Sequence, residues 1–259
     1  MLMTQVAKNQ KSSRELHVYK SADKVIKEIA DYFVRTVSET ILRKRKCNVV
    51  LSGGHSPKPL YKLLASPHYS RQIEWDKVYF FFADERCVPF TGSDNNGWMV
   101  KKTLFEPLRT AEENIFYVNM SLSPEESANE YAGRIISHFE NDPICFDFIL
   151  LGLGEDAHTA SLFPHAPVLK EKKALVKAVY LRDKPAYRIT MTAKLINRSS
   201  NIAFLVYGES KAEAVKETLE GEKDFETYPA QLICPKEGNI HWYMDILAAS
   251  SLKAVHLTI

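Results

Sequence analysis

Short apolar runs alternate along the chain with amphipathic stretches. Residues 48–51 (NVVL), 77–83 (KVYFFFA), 115–118, 146–151 (FDFILL) and 201–207 (NIAFLVY) are nearly continuous in hydrophobic side chains. This pattern predicts strands buried on both faces, as in a parallel sheet. Between them, 21–42 repeats Val25, Ile29, Phe33 and Val37 at helical spacing, and Ala128, Tyr131, Ala132, Ile135, Ile136 and Phe139 form a second stripe. Ser123-Pro124-Glu125-Glu126 ahead of that stripe reads as a capping box with proline at the first helical position. Residues 211–219 predict a shorter helix. The alternation predicts a doubly wound, mostly parallel α/β sheet flanked by helices, Rossmann-like in outline. Residues 172–192 break it: the extended runs 174–181 and 187–191 flank Arg182-Asp183-Lys184-Pro185 and predict a small antiparallel excursion. Without a repeat or low-complexity linker, one domain over 1–259 is expected, with 1–14 as a flexible N-terminus.

Composition narrows the class. Of 259 residues, 45% are apolar and 25% charged, which excludes disordered and fibrous chains. A net charge of +2 argues against a general nucleic-acid binder. The run Arg43-Lys44-Arg45-Lys46 is read as a solvated helix end. Cysteines at 47, 87, 145 and 234 form no C-x-x-C pair, so reduced, buried thiols in a cytoplasmic protein are expected. The polar first fifteen residues carry no signal-peptide core, and the apolar runs fall short of the ~18 residues a membrane helix needs. No nucleic acid, membrane or cofactor is expected, and assembly no further than a weak homodimer.

The unusual residues cluster where strands end, and open α/β sheets bind ligands there. Ser52-Gly53-Gly54-His55-Ser56-Pro57 follows the first predicted strand. Ser56 is placed to cap a helix starting at Pro57, and glycines before a helix N-terminus either cradle a phosphate or simply make a tight turn. The G-x-x-x-x-G-K-[ST] spacing is absent. Asp84-Glu85-Arg86 follows Phe80-Phe81-Phe82. Arg86 suits a bidentate contact to phosphate or carboxylate, while Asp84 or Glu85 suits a sugar hydroxyl or the orientation of a base; an internal salt bridge is the plainer alternative.

Gly152-Leu153-Gly154-Glu155-Asp156-Ala157-His158 follows the fourth predicted strand. Its loose fit to G-x-G-x-x-[GA] is discounted, because it comes late in the chain, no ribose-binding acid follows, and Pro164 interrupts the helix. His158 beside Asp156 suits general-base chemistry, with the carboxylate setting the tautomer, unless both are structural. Lys211 and Arg188 are further anion contacts or ordinary solvated cations. The eight histidines form no H-x-x-x-H pair and the cysteines lack ligand spacing, so no metal site is predicted. No G-x-S-x-G nucleophile elbow is present.

Together, Ser52-Gly53-Gly54, Asp84-Glu85-Arg86 with Val88-Pro89, Asp94-Asn95-Asn96, Arg188-Ile189-Thr190 and residues 208–211 resemble the 6-phosphogluconolactonase family. So does the run from Gly152 through His158-Thr159-Ala160-Ser161-Leu162-Phe163-Pro164, the most specific of these segments. The resemblance spans about 20–250 and implies metal-free hydrolysis of 6-phosphogluconolactone, with His158 activating water and Arg86 and Lys211 on the phosphorylated substrate. It implies a catalytic group of His158, Asp156 and Asp84, and a substrate group of Ser52, Gly53, Gly54, His55, Ser56, Arg86, Arg188 and Lys211. Three positions depart from the family pattern: Ala157 stands for glycine, His55-Ser56 for Ser-Thr, and Asn95 for serine. If position 157 needs positive φ, alanine there is strained by about 1–2 kcal/mol. The alternatives are an amino-sugar phosphate isomerase-deaminase, whose family carries Asp-Glu-Tyr at 84–86, and a non-catalytic phosphosugar-binding protein.

Overall fold

The computed structural model describes residues 13–140, 142–181 and 186–253. In chain order the strands are β1 (Ser13–Tyr19), β2 (Cys47–Leu51), β3 (Val78–Phe82), β4 (Asp84–Arg86), β5 (Phe148–Leu151), β6 (Val176–Leu181), β7 (Ala186–Met191), β8 (Asn201–Val206) and β9 (Asn239–Asp245). Six form one sheet in the order β1-β9-β8-β5-β2-β3, every neighbouring pair parallel. The other three form an antiparallel sheet, β4-β7-β6. The expected doubly wound sheet and antiparallel excursion are both present; the connection 182–185 lies outside the described residues.

The continuous hydrophobicity of the central strands follows from their two buried faces. Val50, Phe81, Ile149, Leu151 and Phe204 point into one core, with Tyr131, Ile135 and Phe139 of the helix Pro124–Phe139. Their chain neighbours Val49, Leu51, Phe80, Phe82, Phe148 and Leu150 point into the other, against Val25, Ile29, Phe33 and Val37 of the helix Ala22–Lys44. The Ser123/Glu126 capping box opens the helix Pro124–Phe139, as its spacing predicts, and Ser21 caps the helix Ala22–Lys44. Among the described residues, no helix is long and apolar enough to cross a membrane.

Four expectations need correction. Residues 115–118 form no strand; Ile115 makes an isolated parallel bridge to Phe80. β1 and β9 are absent from the predicted strands because their sequences, SRELHVY and NIHWYMD, carry no continuous apolar run: β1 is an edge strand, and β9, though buried from Ile240 to Asp245, includes the polar His241 and Asp245. Ser13 and Arg14 therefore lie in a strand, and 1–12 lie outside the described residues. Finally, the helix after β2 is Lys58–Leu64, and Ser56 makes no side-chain cap to it.

The opposite edge shows how a strand is closed without a partner strand. The Tyr131 hydroxyl donates to the carbonyl of Phe82 (3.1 Å) and accepts its N–H (2.7 Å), while Phe116 N–H bonds Phe80 O (2.8 Å). Tyr131→Phe leaves the buried N–H and C=O of Phe82 without that partner and should destabilise the protein by about 1–3 kcal/mol in urea denaturation.

On the same helix, His138 lies against Tyr79, Phe81 and Phe116, with Nε2 2.8 Å from Asn48 Oδ1. Burial, aided by Lys46, depresses its pKa from 6.5 to about 4. Because the folded value lies below the unfolded one, the stabilisation is full above about pH 6.5 and is lost as pH falls towards 4. The stability difference between wild type and His138→Asn should narrow over that window in denaturation curves taken at successive pH values.

Candidate active site

Strand order reverses in the middle of the large sheet. From β2 the chain moves outward to β3, then crosses back to β5 and continues the other way through β8 and β9. The loops leaving β2 and β5 stand at this reversal point, at the carboxyl ends of the strands, where such sheets take ligands. Ser52, Gly53, Gly54, His55 and Ser56 form the first loop, and Asp156 and His158 lie in the second.

Ser52 is buried, donating its hydroxyl to Leu150 O of β5 (2.8 Å) and accepting from the Tyr61 hydroxyl at its carbonyl (2.5 Å). The next residue must be glycine: a Cβ on Gly53 would stand 1.7 Å from Asn96 Oδ1. Gly54 has φ +92°. His55 is exposed, and Ser56 O accepts from Tyr207 at the end of β8 (2.9 Å), joining this loop to the one that carries Lys211.

Asp84 and Arg86 alternate with Glu85 along β4, so they share one side and Glu85 takes the other. Glu85 is 2% exposed and accepts from the backbone N–H groups of Arg86, Asn96 and Gly97 (2.7, 2.7 and 2.8 Å). Burial lifts its pKa to about 7 against those three donors. Glu85 thus secures the loop 87–97 from the side of β4 opposite to Asp84 and Arg86. Asp84 Oδ2 accepts from Ser161 (2.6 Å), and Asn96 Nδ2 donates to Asp84 O (2.9 Å). Contacts thus run from Gly53 through Asn96 and Asp84 to Ser161, three residues past His158. The sequence reading assigns no role to Asn96 or Ser161, although both lie in segments that carry the family resemblance, which is the one sequence signal that points to them.

The loop after β5 is a compact turn. His158 Nδ1 lies 2.5 Å from Asp156 Oδ1, and Gly154 N–H bonds His158 O (2.7 Å). A Cβ on Gly154 would fall 2.0 Å from His158 Nδ1, so glycine lets the ring fold back over the turn. The imidazole stacks on Phe163, centroids 4.2 Å apart. Burial alone would raise the Asp156 pKa; the hydrogen bond and charge of His158 outweigh it and hold the carboxyl below its ordinary value. With Nδ1–H donated to Asp156, Nε2 keeps its lone pair for a proton. Ala157 has φ +58°, so the position does need the left-handed region.

Cations face each other across the small sheet. Arg86 of β4 pairs directly with Arg188 of β7. Burial and then Arg86 pull the Arg188 pKa down, with Asp84 opposing. Like charges placed directly opposite are unfavourable without an anion between them. Arg86 also donates to Asp94 O (2.7 Å), and Lys211 approaches Glu155 of the His158 loop at 3.9 Å.

An open parallel sheet whose strand order reverses in the middle, the Arg86–Arg188 pair and the Asp156–His158 dyad define a doubly wound α/β protein with charged side chains gathered at its strand ends. The chain belongs to the family described as glucosamine-6-phosphate isomerases/6-phosphogluconolactonase, which matches residues 20–242. It is 35% identical over 221 residues to a 6-phosphogluconolactonase of Synechocystis, covering 84% of this chain and 89% of that one. Its fold superposes on the crystal structure of a 6-phosphogluconolactonase from Thermotoga maritima with a TM-score of 0.76 at 29% identity, covering 90% of this chain and 100% of that one. A monomeric glucosamine-6-phosphate deaminase shares the fold, with a TM-score of 0.78 at 21% identity over 92% of this chain and 99% of that one.

Three terms decide the effect of changing Ala157. Left-handed strain on alanine is about 1–2 kcal/mol. Glycine would relieve it but forfeit a buried methyl, about 0.8 kcal/mol, and loosen the unfolded chain by about 0.4–1 kcal/mol. Ala157→Gly should therefore shift stability by less than about 1 kcal/mol. Ala157→Val, β-branched at a fully buried positive-φ position, should lose more than about 2 kcal/mol by the same denaturation measurement.

Proposed function

We propose that this protein hydrolyses 6-phospho-D-glucono-1,5-lactone to 6-phospho-D-gluconate, the second step of the oxidative pentose phosphate pathway, as a single-domain cytoplasmic enzyme. The observation that carries the reading is the Asp156–His158 dyad on a loop tied through Ser161 to Asp84, on the strand that also presents Arg86. Family membership and the lactonases among its relatives support the same substrate.

In this mechanism the phosphate lies among Arg86, Arg188, Lys211 and the Ser52–Ser56 turn, remote from the reacting bond, and its binding energy orients the ring. His158 Nε2 takes a proton from water as the water oxygen bonds to the lactone carbonyl carbon. The tetrahedral intermediate then expels the ring oxygen, which recovers the proton from His158, and the product carboxylic acid ionises. Asp156 fixes the imidazole tautomer and stabilises the imidazolium. Asp84, both of whose carboxylate oxygens are engaged, serves by holding the His158 loop against β4.

The test is acid release from freshly generated lactone, corrected for its spontaneous opening. His158→Ala should lower kcat by about 10²–10⁴-fold with little change in phosphosugar binding; near-normal turnover would remove His158 from the base role. Arg86→Ala or Lys211→Ala should lower kcat/KM by about 10–100-fold, the loss of one charge-assisted contact. Ammonia release from glucosamine 6-phosphate without lactone hydrolysis would favour the deaminase, and tight phosphosugar binding without turnover a non-catalytic binder.

A further inference from the structure

At the other end of the sheet, three donor side chains converge from positions 224 residues apart in the chain. Parallel pairing of β1 with β9 sets Glu15 opposite His241 and His17 opposite Tyr243. The i, i+2 spacing puts Glu15 and His17 on one face. His17 Nε2 lies 3.1 Å from His241 Nδ1, and Glu15 Oε2 lies 3.8 Å and 3.5 Å from those two nitrogens.

We propose that Glu15, His17 and His241 form a binding site for a divalent transition cation of the zinc class, separate from the candidate active site. Ligands held about 2.0–2.1 Å from a tetrahedral zinc stand about 3.3 Å from one another, and the three separations bracket that value. Two imidazoles and one carboxylate are a donor set that zinc favours over calcium or magnesium. The set supplies three corners of a tetrahedron and leaves the fourth for water. In the ion's absence the two rings share one N–H; binding moves that proton to the other ring nitrogen, so both ligating nitrogens present lone pairs.

The surroundings hold the ligands without blocking them. His17 stacks on Tyr243 (4.5 Å), and the His241 ring lies against Tyr32 (4.6 Å), whose hydroxyl is fixed by Asn201. Arg35, over the Tyr32 ring at 5.6 Å, acts on both imidazoles, and the Glu15 carboxylate opposes it. His241 lines an open groove of about 1310 Å³ beside Asn201, Gly238 and Asn239, at the amino ends of β8 and β9. The candidate active site lies at the carboxyl ends of the strands, so the ion would take no part in lactone chemistry. It would pin edge strand β1 to β9, the contact that closes this side of the sheet.

The experiment titrates chelator-treated full-length protein with Zn²⁺ and, for spectroscopy, Co²⁺. One equivalent should bind, giving the intense visible bands of four-coordinate Co²⁺, and Zn²⁺ should raise the Tm. Glu15→Gln should weaken binding by more than about tenfold, since losing even an outer-shell partner of a ligand does that much. His17→Ala should abolish the bands and the Zn²⁺-dependent Tm shift, the latter read as the difference between the variant's own melting curves with Zn²⁺ and with chelator. His158→Ala should bind as wild type does. Unchanged affinity in His17→Ala, thiolate charge-transfer absorption, or no saturable binding to the wild type would each overturn the proposal.

Discussion

Asp84 is the tie on which the candidate site depends. Its carboxylate takes the Ser161 hydroxyl and its carbonyl takes Asn96, so the loop bearing His158 and the loop packed on Gly53 meet at one residue. Strand alternation gives Glu85 the opposite task of gathering three backbone N–H groups at 86, 96 and 97. A three-residue strand thereby orders two loops and leaves Arg86 on the Asp84 side. The sheet behind it supplies rigidity, because its central strands are packed on both faces by large apolar side chains.

Local rules are broken where the site is built. Arg86 stands opposite Arg188, and alanine occupies a left-handed position next to His158. Neither arrangement favours folding; each persists because the surroundings over-determine it, and departures of this kind gather at functional positions. Ala157 is held by its own N–H to Gly154 O and by Ala230 N–H on its carbonyl. The turn therefore keeps its shape without the glycine that the family pattern has there.

Much of this was legible in the residues. The two long helices, the capping box of the second, and β2, β3, β5 and β8 follow from local pattern, because burial on two faces leaves an unbroken apolar run that little else produces. β1 and β9 were not legible: β1 is an edge strand with exposed positions, and β9 buries polar His241 and Asp245 among its apolar residues, so neither shows an unbroken apolar run. Ile115 misled for the opposite reason, since an apolar run beside an edge strand packs like a strand without extending the ladder. Glycine turns and charged strand ends marked the candidate site, whereas Asn96 and Ser161 are ordinary polar residues until the fold brings them to Asp84.

By itself, then, the amino-acid order determined the alternating α/β architecture, the loops that carry reactive groups, and the local Asp156–His158 pair, two residues apart on one turn. Tertiary structure alone decided which loops touch, that Arg86 faces Arg188, and that Glu15 and His17 meet His241. The physical reason is range. Periodicity, capping and turn chemistry act over a few residues, while register and strand order join segments that are distant along the chain and that only the packed sheet aligns.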